Sequence, residues 1–287
     1  MDTTIYQKYN DNDLLYNHVS RANHNRIGFS AHTHDVCEIL FLKSGKINCA
    51  VDGVRYDLNR NDLVIIPAFS IHEIRIDDDK NYERFDVLFD NKLIPFPFLE
   101  RLPKNLRVLN FDGNDSIIGL FRKMDFYCAE LEGDTLKLML TNLLQEICVN
   151  IVLATKNTEK TVYTQTNQIV TEAISYIDRN LLSLEGIDEI CKELFITKSH
   201  LHHLFIKHLN ITPKKYITSK RLAMAQREIS FGGRPTEIYV KCGFSDYSAF
   251  YRAYKKQFGC PPSEKGDSEH TFVVHDEGTY RNPYSVV

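Results

Sequence analysis

No window of the chain approaches eighteen uninterrupted apolar residues, so nothing in it reads as a membrane span. The opening stretch MDTTIYQKYNDNDLLYNH also lacks the basic-then-apolar pattern of a secretory signal, and a cytoplasmic protein is the expectation. CxxC pairs are missing too. The seven cysteines, at 37, 49, 128, 148, 191, 242 and 260, are scattered and odd in number. That argues against a disulfide framework or a zinc knuckle and for reduced thiols. Low-complexity segments are lacking as well. With 43% hydrophobic, 25% charged and 11% aromatic residues, the composition is that of an ordinary globular protein, and 287 residues favour two domains.

Net charge is only -3, but it is unevenly spread. Residues 1–164 carry 19 basic and 24 acidic side chains, a net of -5. Residues 165–265 carry 15 and 10, a net of +5, and add His200, His202, His203 and His208. Residues 266–287 carry 1 and 4, a net of -3. A basic module joined to an acidic one suggests nucleic acid, although a charge this mild decides nothing alone.

From about residue 18 to residue 90 the pattern is that of β-strands. Glu38-Ile-Leu-Phe-Leu-Lys43 is a compact apolar run, Ser44-Gly45 a turn, and Ile47, Cys49 and Val51 then alternate with polar or small residues. Asp52-Gly53 marks a hairpin, followed by Val54, Tyr56 and Leu58 in alternation. Leu63–Ile66 ends at Pro67, and further runs cover 72–76 and 82–89. Many short strands at regular intervals read as an antiparallel barrel or jelly roll, closed by the proline-rich Ile94–Phe98. The period then becomes helical. A short helix around Ile117–Leu131 precedes a stripe of Leu136, Met139, Leu140, Leu143, Leu144, Ile147, Cys148 and Ile151. Such a stripe either caps the barrel or forms a dimer seam. Its four turns favour the seam. Lys156–Thr161 reads as a linker.

Residues 168–260 are helical throughout and contain one near-repeat. In the first unit Ile187, Ile190, Cys191 and Leu194 make one helix face, with Gly186 at the N-cap. Thr197 caps a second helix whose Leu201, Leu204 and Phe205 face inward, leaving Lys198, Ser199, His200, His202, His203 and Lys207 outward. In the second unit Pro235 opens a helix, Gly243 ends it, and Ser245 caps the next. There Ala249, Phe250, Ala253 and Tyr254 are expected inside. Asp246, Tyr247, Ser248, Tyr251, Arg252, Lys255 and Lys256 are expected outside. Each unit is a helix-turn-helix, which offers small or hydrogen-bonding side chains to base edges and basic ones to phosphates. A single unit is equally an ordinary bundle with solvated faces. Two units joined by a helix from Pro213 to about Ile229 fix a spacing between two recognition helices, which a bundle does not require.

Gly243–Lys256, followed by Phe258-Gly259 and Pro261-Pro-Ser263, resembles the signature of the AraC-type (arabinose regulator) family of bacterial transcription regulators. Ser199, Leu201, Leu204-Phe205 and Lys207 resemble its first recognition helix, and Arg221 and Ala225 match its linker helix. The resemblance covers roughly 168–264 and implies a double helix-turn-helix that reads two successive major-groove segments. The chain departs from the pattern in four places. His203 stands where the family usually has Arg, Tyr239 where a small residue is usual, and Lys265 where an aromatic closes the domain. Gly232-Gly233 is expected to make the join to the second unit flexible.

His32-Thr-His34 with Glu38 and then Gly45 resembles the first motif of the cupin superfamily, and Asn61-Asp62, Pro67 and His72 resemble the second. Asn61 and Phe69 stand where glycine is usual. His32, His34, Glu38 and His72 are residue types that hold a divalent metal on a cupin barrel. Sensor barrels of AraC-type regulators also carry such histidines as effector-pocket lining, and satisfied core polar groups are a third reading. The missing glycines favour effector lining over metal, so no metal and no cofactor are expected.

The fold expected is therefore multidomain. An N-terminal antiparallel β cupin-like jelly roll (1–95) and a helical dimerisation segment (96–160) precede a C-terminal all-α tandem helix-turn-helix (166–265) and a flexible tail (266–287). The expected function is sequence-specific transcription regulation, not catalysis. The expected partners are double-stranded DNA, a small-molecule effector such as a sugar or metabolite, a second copy of the chain and RNA polymerase. Two other readings stay open: a ligand-independent regulator whose barrel only dimerises or binds a protein, and a metallo-cupin enzyme with a helical appendage.

Overall fold

The computed structural model describes residues 2–11, 13–22, 28–76, 82–103, 106–156, 167–263 and 273–274. The strands run β1 (Asp2–Asn10), β2 (Leu14–Ala22), β3 (Gly28–Thr33), β4 (Cys37–Ser44), β5 (Ile47–Val51), β6 (Val54–Leu58), β7 (Asp62–Ile66), β8 (His72–Ile76), β9 (Tyr82–Phe89) and β10 (Val108–Asn110). The helices are α1 (Asp115–Glu130), α2 (Gly133–Thr155), α3 (Gln168–Asn180), α4 (Ile187–Glu193), α5 (Lys198–Leu209), α6 (Pro213–Ser230), α7 (Pro235–Lys241) and α8 (Tyr247–Phe258). A last short strand, β11 (Val273–Val274), follows.

The strands form two antiparallel sheets, ordered β1-β2-β9-β4-β7-β10 and β11-β3-β8-β5-β6. Leu40, Leu42, Val64 and Ile66 of the first sheet meet Ile47, Cys49, Ile74 and Ile76 of the second in one buried layer. Ile39, Phe41, Phe85 and Val87 point to the opposite face, under α1 and α2. Because β4 is buried on both faces, it reads as a continuous apolar run rather than an alternating one. Asp52 and Gly53 have φ of +46° and +79°, the two left-handed positions that a two-residue hairpin between β5 and β6 requires.

Three expectations change. The domain does not close at residue 95, since β10 pairs with β7 through Leu109↔Leu63. Strands β1 and β2 begin well before residue 18. The α2 stripe is not a free seam: Leu136, Leu140, Leu143, Leu144, Ile147, Cys148 and Ile151 are buried in the same cluster as the outer face of the sheet. A sheet face that is apolar on its outer side needs a cover, and each such leucine contributes about 1.5–3 kcal/mol by leaving water. By length and composition alone α2 could cross a membrane, but this packing accounts for its apolar side. A polar fastener joins α1 to the barrel. His18 lies 2.8 Å from Asp125 and 2.9 Å from Glu83, and the Tyr16 hydroxyl donates to Asp125 at 2.7 Å.

Linker residues 157–161, Lys265 and most of the tail lie outside the described residues. Within the tail, Val273 and Val274 pair with Thr33 and His32 of β3, so part of it adds to the sheet instead of hanging free.

Candidate nucleic-acid interface and sensor site

Each recognition helix is built from its cap outward. The Thr197 side chain accepts from the backbone N–H of His200 at 3.2 Å, starting α5. Leu201, Leu204, Phe205 and Leu209 then turn into the core, and Lys198, Ser199, His200, His202, His203 and Lys207 are all exposed. Lys198 reaches back to Asp188 at 2.6 Å, which ties it to α4 and offsets its charge. In the second unit the cap is Asp246, not Ser245. Its two carboxylate oxygens accept from Ser248 at 3.2 Å and Ala249 at 2.6 Å. This use of Asp246 removes its carboxylate from the base-reading set. Ser248, Arg252, Lys255 and Lys256 are exposed as expected, whereas Ala249 is exposed against expectation. Tyr247 and Tyr251 are half-buried, and Tyr247 packs on Tyr239 at 5.5 Å between ring centres. Tyr239 thus builds an aromatic contact where a small residue is usual.

Arg221 on α6 fixes the two units together. Its guanidinium donates to the carbonyls of Leu181 at 2.9 Å, Gly243 at 2.8 Å and Leu184 at 2.5 Å. Gly243 has φ of +79°, and a Cβ there would lie 2.8 Å from the Arg221 guanidinium carbon. Gly232-Gly233 is not a loose joint. The Gly233 N–H donates to Glu228 O at 3.0 Å, and a Cβ at Gly233 would come within 2.7 Å of that same oxygen. The pair caps α6 tightly.

In the barrel, β3, β4 and β8 bring His32, His34, Glu38 and His72 into one cluster. The ring nitrogens of the three histidines can all lie within 4.8 Å of one another. His34, Glu38 and His72 are buried. Glu38 Oε2 lies 3.0 Å from His34 Nε2 and 3.3 Å from His72 Nε2. The other ring nitrogens face carbonyls: His34 Nδ1 donates to Val36 O at 2.8 Å and His72 Nδ1 to Ser70 O at 3.1 Å. Burial alone would raise the Glu38 carboxyl, but the hydrogen bonds and charges of His72 and His34 outweigh it and hold it well below the usual range. Asn61 and Phe69, the expected obstacles, adopt φ of +66° and +64°, so both turns form without glycine.

Sequence reasoning missed two features. On β9 the alternation that puts Tyr82 inside also buries Arg84 and Asp86, which pair at 3.3 Å. The period-two pattern from Tyr82 could have located them. The second feature joins the domains: the Tyr216 hydroxyl on α6 donates to Asp52 in the β5–β6 turn at 3.0 Å. Beside it Ile71 is buried in the cluster of Val170, Phe205, Leu209 and Tyr216. No local signal announces this contact.

An acidic β sandwich-like sensor fold that carries a rigid pair of helix-turn-helix units defines a two-domain transcription regulator. Residues 18–104 match the model of an AraC-like ligand binding domain and residues 190–266 that of a helix-turn-helix domain. The chain belongs to the AraC-type family of DNA-binding transcription regulators. It is 30% identical over 90 residues to the probable transcriptional regulator LumQ of Photobacterium leiognathi, covering 31% of this chain and 36% of that one. It is 32% identical over 92 residues to the raffinose operon regulatory protein RafR of Pediococcus pentosaceus, covering 32% and 33%. In both cases the chain spans about a third of the relative's length. A longer match, 23% identical over 245 residues, covers 82% of this chain and 88% of the transcriptional activator RhaS of Mannheimia succiniciproducens. Among solved structures, ToxT from Vibrio cholerae shares 14% identity, covering 88% of this chain and 96% of that one with a TM-score of 0.40. The relatives are named as regulators, not enzymes.

Proposed function

We propose that the protein controls transcription by binding specific duplex DNA through α5 and α8, under the control of a small effector held in the barrel. The observation that carries this reading is the exposed polar and basic face on each recognition helix, with Arg221 bracing the two units. Ser199, His200, His202, His203 and Ser248 are the base-edge candidates, and Lys207, Arg252, Lys255 and Lys256 the phosphate anchors. In the barrel, His32, His34, Glu38 and His72, together with the buried Arg84–Asp86 pair, supply the polar contacts for an effector. An effector acts only through a difference in its affinity for two domain arrangements, and the Asp52–Tyr216 contact lies where such arrangements would differ.

A cytoplasmic homodimer that contacts RNA polymerase is part of the same reading. Support for pairing comes from the outer side of α2, where Leu138, Val149 and Leu153 stay exposed. The test is selection of binding sites from a random duplex pool by the full chain. Enrichment of a defined motif, bound with a steep salt dependence, is the expected result. Recovery of unenriched sequence would end the proposal.

A further inference from the structure

One hairpin of the sensor domain is seated on the DNA-binding domain. Asp52 in the β5–β6 turn accepts from the Tyr216 hydroxyl at 3.0 Å. Gly53 fits so closely that a Cβ there would lie 2.9 Å from Leu209 Cδ2 and 3.1 Å from Val170 Cγ1. Leu209 is the last residue of α5, so β6 leaves the turn against the C-terminal end of that helix. Strand β6 is also the edge of its sheet. Tyr56 and Leu58 belong to the barrel core, so Arg55, one residue out of phase, points to the outer face and is exposed.

This seat gathers like charges. His208, beside Leu209, feels the basic groups of Lys207, Arg55 and His203, and Arg55 comes from the barrel. His203 and Lys207 lie four residues apart on the exposed face of α5, and Lys214 and Lys215, both exposed, open α6 immediately beyond. The carboxylates of the hairpin are committed elsewhere, Asp52 to Tyr216 and Ile71, and Asp57 to Asn48 at 2.6 Å. A contact shaped only to hold two domains together would set opposite charges across it, because like charges facing each other cost stability. A polyanion laid along α5 reverses that sign. The barrel side of the chain is otherwise acidic, residues 1–164 carrying a net of -5, so a cation at the edge beside a recognition helix is where it can approach phosphate.

We propose that the sensor domain takes part in the DNA interface: the Arg55 guanidinium holds a backbone phosphate next to the one anchored by Lys207. A guanidinium suits this role because its planar fork matches two phosphate oxygens. The contact exists only while the hairpin is docked, so whatever undocks the barrel also removes a phosphate anchor from the DNA. The inference rests on the transcription reading above, in which Lys207 is a phosphate anchor.

The experiment compares the full chain with Arg55→Gln, Arg55→Lys and Arg55→Glu on a duplex selected by the parent chain. All three changes fall on an exposed strand position and leave the barrel core alone. Arg55→Gln should weaken binding about three- to tenfold in ~0.1 M salt and lower the slope of log K against log salt by about 0.9. The loss should be equal on matched and mismatched duplexes, since a phosphate carries no sequence. Arg55→Lys should recover the slope, and Arg55→Glu should lose more than Arg55→Gln. Ethylation interference should reveal one phosphate whose alkylation hinders the parent but not Arg55→Gln. Hydrogen exchange at 203–211 in the free Arg55→Gln chain should slow, because a repulsion has gone. Parent-like affinity and slope for Arg55→Gln would overturn the contact. Faster exchange with an unchanged slope would also overturn it, making Arg55 a structural support of the docked hairpin. If the parent chain selects no DNA, the transcription reading fails and the Arg55 contact with it. A parent that binds while all three variants match it sinks the contact alone.

Discussion

The Tyr216 hydroxyl and the Asp52 carboxylate meet at 3.0 Å across 164 residues of sequence. Asp52 Oδ1 also accepts the Ile71 N–H at 3.0 Å, so one oxygen ties a hairpin turn, a loop and a helix of the other domain. Burial, then the charges of Asp52 and Asp178, push the Tyr216 hydroxyl well above its ordinary pKa, so it stays a donor. Tyr216→Phe should cost about 0.5–1.5 kcal/mol of docking, as one net hydrogen bond does. Asp52→Ala should cost more, because it also strands the Ile71 N–H and puts alanine at φ of +46°. Limited proteolysis and hydrogen exchange around 209–217 measure this. Unchanged protection in both variants would refute the fastening.

Arg221 makes the two helix-turn-helix units one body, so its loss should act on DNA recognition more than on each unit's fold. Arg221→Ala strands three carbonyls, at a cost on the order of 2–4 kcal/mol. Lysine cannot reproduce the fork, so Arg221→Lys should recover little. Binding to DNA carrying both half-segments should fall much further than binding to either alone. A uniform loss would show that the bracing is not what matters.

The face of α8 separates anchoring from reading. Arg252→Ala, like Lys207→Ala on α5, should weaken binding to all sequences and reduce the slope of log K against log salt by about 0.9 each. Ser248, exposed in the first turn, should lose discrimination while keeping the slope. Titrations at several salt concentrations on matched and mismatched duplexes decide it. Equal specific and non-specific losses for Ser248→Ala would remove it from the reading set.

The buried stripe on α2 leads to an asymmetric expectation. Leu140→Asp places a charge at a fully buried position and should destabilise the barrel by more than about 4 kcal/mol. Leu138→Asp with Leu153→Asp alters only the exposed side and should leave the fold intact while weakening self-association. Thermal unfolding and sedimentation separate the two. Folded monomers from Leu140→Asp would restore the seam reading.

What was legible in the sequence follows the range of the interactions. Strands β8 and β9, the cap Thr197 and the helix-opening Pro235 obey local rules, and the residues carry them openly. The α2 stripe announced that something covers it, but periodicity does not distinguish a partner helix from the chain's own sheet. Strand β10, three residues long, is fixed by its pairing with β7 rather than by propensity. The histidine cluster was legible from the HxHxxxE motif, although His32 stands on β3, His34 just beyond it and Glu38 on β4 rather than on one strand face. The glycine rule misled because Asn61 tolerates its left-handed φ with local support, its side chain donating to Asp112 at 3.0 Å. Contacts such as His18–Asp125, 107 residues apart, leave no local trace.

The last expectation concerns pH at the domain interface. His208, half-buried at the end of α5, is lowered from its ordinary pKa of 6.5 by burial first, then by the charges of Lys207, Arg55 and His203. Arg55 belongs to β6, so part of this repulsion crosses from barrel to helix. A histidine whose folded pKa lies below its unfolded value contributes stability above the unfolded pKa. That stability is lost as pH falls from about 6.5 through the folded value, because the unfolded state takes up the proton more readily. Docking of α5 on the barrel should therefore weaken with acidification, and His208→Gln should flatten that part of the profile. The check is the difference in unfolding midpoint between parent and variant from pH 7.5 to pH 5. Histidines other than His203, the neighbour of His208, are common to both chains and cancel in that difference. A constant difference across the range would show that His208 carries no proton linkage.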